Sequence, residues 1–383
     1  MAYANFLLPV ALDERRFPRT WEALRAGLAD QVAPGFVAGL WRKTSPQQIF
    51  LAACGQRRIA SSSLASLPMT TDTIFDLSSV SKIFATSALT AVLVERGWLS
   101  WDSPVSAFFE GYSHTQIRLH HLLSHTAGFV YWEPYWEKLR QLFAPIALEK
   151  IPIRIRQKAM RELVLSACPD VAPGVRSLYS DLSFLLLGFV LEEVTQMPLD
   201  QAVLRFVWQP MKIRGPYFRR VQQSSFDARD ERVAATEDCP WRQAILQGQV
   251  HDDNCWAMGG YGGHAGAFGT AQNLLQFSKM LMEGFLSQQV LHALWTRVSE
   301  PQGCARTLGW DTPSGESPSA GKYFSSNSVG HLGFTGTSLW IDPDAGLAVT
   351  LLSNRVHPSR ENWKIKKFRP YFHEAIRIDL GSG

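Results

Sequence analysis

The sequence predicts an α/β (α+β) chain in which an antiparallel sheet, flanked by terminal helices, receives an inserted all-helical domain. Two observations carry this prediction. Runs rich in aromatic and β-branched residues lie near both ends of the 383 residues, and the middle is mainly helical in its periodicity. The expected division is a discontinuous sheet domain, 15–76 with 287–383, and a helical domain, 77–286, that carries Ser79 at the seam. Neither an internal repeat nor a low-complexity linker interrupts it.

Taken in order, Trp21, Leu24, Leu28 and Val32 recur at helical spacing. Two short strand-like runs follow, 36–41 and 48–55, joined by a polar segment that contains Pro46. Residues 73–76 read as a further strand leading into the Ser79 helix. Helices are expected at 79–96, 103–109, 117–124, 157–166, 181–195, 199–208 and 271–284, the last capped by Thr270 and closed by Gly284. Strands are expected at 307–310, 328–334, 337–341 and 347–352. Between the last two, Pro343 fixes φ and Gly346 supplies positive φ, which makes a turn. A helix over 361–378 ends the pattern.

Hydrophobic residues make up 46% and charged residues 19%, the composition of an ordinary globular protein with a large core. The net charge of +4 is spread along the chain. Its one basic cluster, from Lys364 to Arg369, reads as the solvated face of a terminal helix, so no nucleic-acid partner is expected. No run reaches the ~18 apolar residues of a membrane span. The apolar patch from Phe6 to Leu12 lacks a preceding Lys or Arg and makes a poor signal peptide. Five cysteines without a C-x-x-C pair argue for a reducing compartment. The expectation is a cytoplasmic protein, monomeric or weakly oligomeric; removal of a leader would leave the same sequence with a periplasmic or extracellular home. Gly381-Ser382-Gly383 reads as a vector-derived scar.

The chemistry concentrates at Ser79 and Lys82. Three residues apart on one helix face, their Cβ atoms would lie roughly 5–6 Å from each other. A serine at the first turn with a lysine one turn on is one way to make a nucleophile without histidine. The pattern alone is weak, since a chain of this composition holds roughly one Ser-x-x-Lys by chance; Ser319 to Lys322 is a second, in a Pro/Gly/Ser loop. Taken alone, Ser79 and Lys82 also admit a surface or N-cap role. Two further stretches add context. Tyr179-Ser180-Asp181 opens an apolar helix, and Gly330-His331-Leu332-Gly333-Phe334-Thr335-Gly336 is a glycine-punctuated strand that lets another backbone approach.

In this order, the three stretches resemble the serine β-lactamase and penicillin-binding-protein superfamily, whose signature is S-x-x-K, then S-D-N or Y-x-N, then K-T-G. The chain is most similar to the branch with the tyrosine motif, which holds class C β-lactamases, D-amino-acid peptidases, esterases and cell-wall amidases. The resemblance runs from about Phe36 to Ile376 and implies the β-lactamase/transpeptidase-like fold. It implies Ser79 as nucleophile, Lys82 as the base whose pKa is lowered by desolvation, and Tyr179 as proton relay or general base for deacylation. It implies an oxyanion hole from the backbone N–H groups of Ser79 and Phe334. Asp181, His331, Gly333, Trp132 and Asn354 would meet the substrate, with neither metal nor organic cofactor.

Departures from the pattern bear on substrate. His331-Leu332-Gly333 stands where the family has K-T-G: leucine cannot donate, and a histidine near neutral pH is only partly charged. Losing one or two charge-assisted hydrogen bonds of ~1.5–3 kcal/mol weakens recognition of a carboxylated substrate. Asp181 replaces the usual asparagine with an acceptor-only carboxylate, which could orient Lys82 or select a substrate N–H. His121 and His125, four apart, raise a metal-site alternative, against which stands a role bonding neighbouring loops. His251-Asp252-Asp253-Asn254 reads either as a cleft loop or as a surface turn. The aromatics from Phe129 to Trp136 read either as a cleft wall or as cover for the helical core.

The expected function is a serine hydrolase of small-molecule esters or amides, or of muropeptides. A weak class C-like β-lactamase or D,D-carboxypeptidase is the alternative within that class. A catalytically silent binding protein is the alternative outside it.

Overall fold

The computed structural model describes residues 7–62, 64–221 and 230–381. Phe6 and the Ser382-Gly383 end lie outside them. The main sheet runs, from edge to edge, Leu8–Ala11, Gln48–Arg58, Gly35–Arg42, Leu347–Ser353, Ser338–Asp342 and Val329–Leu332, with Leu67–Pro68 added on Gln48–Arg58. All neighbours are antiparallel except Leu8–Ala11, which pairs parallel with residues 48–51. The sequence read that apolar patch only as a poor signal peptide. Four residues with no clear alternation carry too little pattern to mark an edge strand.

Side chains alternate across the sheet as the pleat requires. Phe36, Ala38, Leu40 and Trp340 face the terminal helices Pro18–Ala29 and Ile365–Asp379. The opposite set, Val37, Trp41, Leu339 and Ile341, joins one continuous core with Phe84, Leu89, Leu185 and Phe277 from the helical region. The two terminal helices are tied together where the Thr20 backbone N–H and hydroxyl both donate to Asp379 at 2.8 Å. They seat on the sheet through Phe36 and Phe368, whose ring centroids are 5.0 Å apart.

Several expected elements differ. Residues 103–109 form only a 3₁₀ turn, Val105–Ala107. The expected strand at 307–310 is absent, since Gly309 at φ +98° turns the chain and only isolated bridges form at Arg306 and Asp311. Helices Tyr135–Phe143 and Gln288–Trp295 fall where no helix was expected. The inserted region is not wholly helical: Tyr217–Phe218 and Ala267–Gly269 extend a small sheet begun by Phe75–Asp76. Among the described residues no single helix is long and apolar enough to cross a membrane. The bent pair Asp181–Thr195 and Leu199–Trp208 passes that test by length and composition, and most of it is buried in the protein core.

What positions the site is a close backbone crossing. The helix Asp181–Thr195 packs against the glycine-rich loop 259–266 so tightly that a Cβ on Gly263 would lie 1.9 Å from the Phe184 carbonyl oxygen. We expect Gly263→Ala to destabilise the protein by about 1–3 kcal/mol, the usual range for overpacking. Urea denaturation measures this, and an unchanged midpoint would contradict the crossing.

Candidate active site

The Ser79 segment begins where Phe75–Asp76 ends. Ser78 takes φ +49°, a 3₁₀ turn covers Ser78–Val80, a π-helical turn covers Lys82–Ser87, and an α-helix continues over Ala88–Glu95. The buried Asp76 carboxylate pins the start, accepting the N–H of Ser78 at 2.9 Å and of His251 at 2.6 Å. Hydroxyls of Thr335 and Thr337 donate to the carbonyls of Asp76 and Leu77. These bonds stitch the Ser79 turn to the strand loop that carries Gly333 and Phe334.

The spacing argument holds in three dimensions. Lys82 Nζ lies 3.0 Å from Ser79 Oγ, and Tyr179 Oη donates to the same oxygen at 2.8 Å. Lys82 is completely buried, and Nζ also reaches Asp181 Oδ1 at 2.7 Å and the His264 carbonyl at 3.0 Å. Rings of Tyr179 and Phe184 flank the nitrogen, with centroids at 4.9 and 5.5 Å. Burial pushes the Lys82 pKa down, and the Asp181 carboxylate opposes it. The Tyr179 phenol is pushed well above its ordinary value by burial and by the nearby Asp181 charge.

Tyr179 is held by the start of the next helix. The Ser180 hydroxyl caps Asp181–Thr195, and the Ser180 N–H donates to His125 Nδ1 at 3.1 Å. The His125 ring lies against Tyr179 with centroids 4.5 Å apart. His121 instead accepts the Arg118 N–H at the start of its own helix. The two histidines, spaced like a ligand pair, thus serve different partners, and His125 is a support for Tyr179 that spacing alone did not identify.

The cleft over Ser79 has a volume of ≈ 400 Å³. Tyr131 and Trp132 stand exposed at its mouth, while Phe129 and Tyr135 are buried in the core, so the aromatic run divides between the two roles weighed for it. His251, Asp252 and Asp253 line the cleft. His251 Nε2 donates to Glu237 at 3.1 Å, and Arg360 donates to Glu237 and Asp253. Burial opposes ionisation of Glu237, but His251 and Arg360 outweigh it and bring its pKa to about 2. Neither Glu237 nor Arg360 sits in a recognisable motif, so only the fold could have found them. Arg369, read as part of a solvated face, turns inward to line the cleft and donates to the carbonyls of Gly333 and Thr337 at 2.6 and 3.0 Å. Burial lowers its pKa to about 9.

Three site expectations change. Asn354 lies outside the cleft: its amide accepts the Gly35 N–H and donates to the carbonyls of Gln56 and Arg57, joining strands. The Phe334 N–H points at Ser78 Oγ, 3.1 Å away, instead of standing open beside the Ser79 N–H. His331 lines the cleft but is not partly charged at neutral pH, because burial brings its pKa to about 4. Its Nδ1 lies 2.8 Å from the Leu332 carbonyl, which can only accept, so Nδ1 carries the proton and the buried Nε2 is a bare acceptor. Gly333 lines the cleft, and a Cβ there would lie 2.6 Å from the Leu77 carbonyl oxygen.

The beta-lactamase family model matches residues 22–367. A Salmonella typhimurium (strain LT2) protein named "Putative D-alanyl-D-alanine carboxypeptidase" is 29% identical over 327 residues, covering 77% of this chain and 72% of that protein. Among solved structures, EstCE1, a hydrolase with promiscuous acyltransferase activity, superposes with a TM-score of 0.71 at 21% identity, covering 95% of this chain and 99% of its own. The octameric penicillin-binding protein homologue from Pyrococcus abyssi gives 0.69 at 19% identity, covering 95% and 77%. At these identities the structures establish the fold.

The His331 environment makes a prediction that needs no substrate. In ¹⁵N-histidine NMR, with His331→Gln for assignment, we expect an Nδ1–H imidazole that stays neutral from pH 8 down to 5. The unfolded chain takes up this proton near the ordinary value of 6.5 and the folded site refuses it until about 4, so the group costs stability as pH falls between those values. A charged His331 at pH 6 would contradict the burial argument.

Proposed function

The chain belongs to the beta-lactamase family and is a serine hydrolase, and on that premise we propose that Ser79 is its nucleophile, acting on small esters or amides without a carboxylate beside the scissile bond. The observation that carries this reading is the convergence of Lys82 Nζ and Tyr179 Oη on Ser79 Oγ, at 3.0 and 2.8 Å.

The hydrogen bonds support a division of labour. As a neutral amine, Lys82 can give its two N–H groups to Asp181 and the His264 carbonyl, which leaves its lone pair for the Ser79 proton. Burial favours that neutral form. Ser79 Oγ then attacks the substrate carbonyl carbon while its proton passes to Lys82. Collapse of the tetrahedral intermediate breaks the bond to the leaving group, which takes a proton from Tyr179 Oη; the Lys82 proton replaces it. Water adds to the acyl-Ser79 by the reverse route and releases the acid. The raised pKa of the Tyr179 phenol supports a relay that starts protonated over a phenolate base.

The substrate reading rests on the other half of the cleft. A neutral His331 and an apolar Leu332 stand where the family pattern has lysine and threonine, and Arg360 is already engaged by Glu237 and Asp253. A carboxylated peptide or β-lactam therefore finds fewer free cations here than the family pattern supplies. The muropeptide and D,D-carboxypeptidase reading draws support from the Salmonella relative's name, and the test includes it.

Wild type and Ser79→Ala are to be incubated with a p-nitrophenyl ester, a fluorescent penicillin and a muropeptide, with turnover and intact mass recorded. We expect ester turnover and an acyl adduct in the wild type, both lost in Ser79→Ala, and at least ten-fold lower kcat/KM on the carboxylated substrates. Turnover that survives Ser79→Ala removes the nucleophile assignment; no turnover or adduct with any substrate favours a silent binding protein.

A second outcome concerns pH. Activity should rise with pH as Lys82 loses its proton, on a limb below the ordinary lysine value of 10.5. Asp181 favours the ammonium form, so Asp181→Asn should move that limb to lower pH. A limb that stays in place would separate Asp181 from the base.

A further inference from the structure

We propose that the Ser78 hydroxyl is the second oxyanion donor of this site, and that the Phe334 N–H acts through it. The inference rests on Ser79 being the nucleophile and goes beyond it, since the family resemblance leads one to expect the Phe334 N–H to meet the oxyanion directly.

Ser78 stands at φ +49°, a left-handed conformation that glycine adopts freely and serine does not. Strain of this kind beside a reacting group points towards a use for the side chain it places. Here it places Ser78 Oγ 3.1 Å from the Phe334 nitrogen, as acceptor of that N–H. An N–H has a single proton, so Phe334 has no second one to offer a substrate. The Ser78 hydroxyl has: Oγ accepts from Phe334, its own proton has no acceptor among the described residues, and the residue lines the cleft beside Ser79. The Ser79 backbone N–H likewise has no acceptor among the described residues. The two free donors are therefore the Ser79 N–H and the Ser78 O–H.

Moving the Ser78 backbone aside to bare the Phe334 N–H is opposed on both flanks. Its N–H is held by the buried Asp76 carboxylate at 2.9 Å, and the carbonyls of Asp76 and Leu77 are held by Thr335 and Thr337 at 2.8 and 3.0 Å. The Gly333 backbone packs so close that a Cβ there would lie 3.4 Å from Ser78 Cβ.

The rest of the chain of donors strengthens the hydroxyl. Gly333 C=O and Phe334 N–H belong to one peptide unit, and the buried Arg369 guanidinium donates to that carbonyl at 2.6 Å. A cation on the carbonyl draws electron density from the N–H, the polarised N–H draws it from Ser78 Oγ, and the Ser78 proton becomes a better donor. The sequence of bonds is Arg369 Nη2–H to Gly333 O, Phe334 N–H to Ser78 Oγ, and Ser78 O–H to the oxyanion. Every proton stays on its own atom. Arg369 acts through the peptide and is a positioning residue.

The test compares Ser78→Gly, Ser78→Ala and Ser79→Ala with wild type, using single-turnover acylation by p-nitrophenyl acetate and thermal melting. Both Ser78 variants should acylate about 10²- to 10³-fold more slowly with little change in KM, the loss typical of one oxyanion donor. Ser78→Gly, which also sheds the left-handed strain, should melt higher than wild type. A variant that is more stable and slower is an outcome that a purely structural serine cannot give. Acylation at or above the wild-type rate in either Ser78 variant overturns the proposal, because the Phe334 N–H then serves directly and Ser78 merely covers it. If Ser79→Ala still turns over the ester, the underlying assignment of the nucleophile falls instead.

Discussion

A lysine amine with no contact to water must find a partner in every direction in which it holds a proton or a lone pair. Lys82 Nζ finds Ser79 Oγ, Asp181 Oδ1 and the His264 carbonyl. These come from three separate parts of the chain: the Ser79 turn, the start of the helix Asp181–Thr195, and the glycine-rich loop before Ala267–Gly269. Leaving such a group buried without partners costs several kcal/mol, so the amine constrains all three segments at once. The same three contacts suit either protonation state. The ammonium donates to all of them, and the neutral amine donates to two and accepts from the serine. Protonation can therefore change without rearranging the site, which is the property a base needs.

That constraint explains features that look unrelated. The glycine at 263 lets the loop backbone lie against the Phe184 carbonyl, which puts the carbonyl of the next residue, His264, within reach of Nζ. The His264 ring is then held by Asp252, whose carboxylate also caps Asp253–Ala257. Burial works to raise the Asp252 pKa, but His264, the Cys255 N–H and the Lys82 charge together hold it below its ordinary value. Carboxylates around the cleft are spoken for in this way: Asp253 by Arg242 and Arg360, Asp311 by Arg306, and Glu237 by His251 and Arg360. Arg355 and Arg369 differ, since their hydrogen bonds go to backbone carbonyls, those of Phe334, Arg360 and Asn362 for one and of Gly333 and Thr337 for the other. Two guanidinium groups thus bear on neighbouring peptide carbonyls here, Arg369 on Gly333 and Arg355 on Phe334.

Much of this was written in local sequence. The i, i+3 spacing of Ser79 and Lys82 survived as a 3.0 Å contact, because one helical turn fixes it whatever the rest of the chain does. The helix Asp181–Thr195 and the pair Ser338–Asp342 and Leu347–Ser353 were legible for the same reason: periodicity and the Pro343-to-Gly346 turn act over a few residues. Tyr179 was legible through motif order. Sequence could not say which group faces which across hundreds of residues. It placed Asn354 at the substrate, where the fold uses its amide to join strands, and it left the His251 cluster undecided between cleft and surface.

The sequence by itself determined the Ser79 turn and its lysine, and most of the strands and helices around them, since each depends on neighbours in the chain; motif order added Tyr179. Only the tertiary structure decided what their surroundings do. Burial leaves His331 neutral, Arg369 turns from an apparently solvated face onto the Gly333 carbonyl, and the Phe334 N–H meets the hydroxyl of a residue 256 positions earlier. These are properties of water exclusion and of long-range approach, which spacing along a chain does not encode.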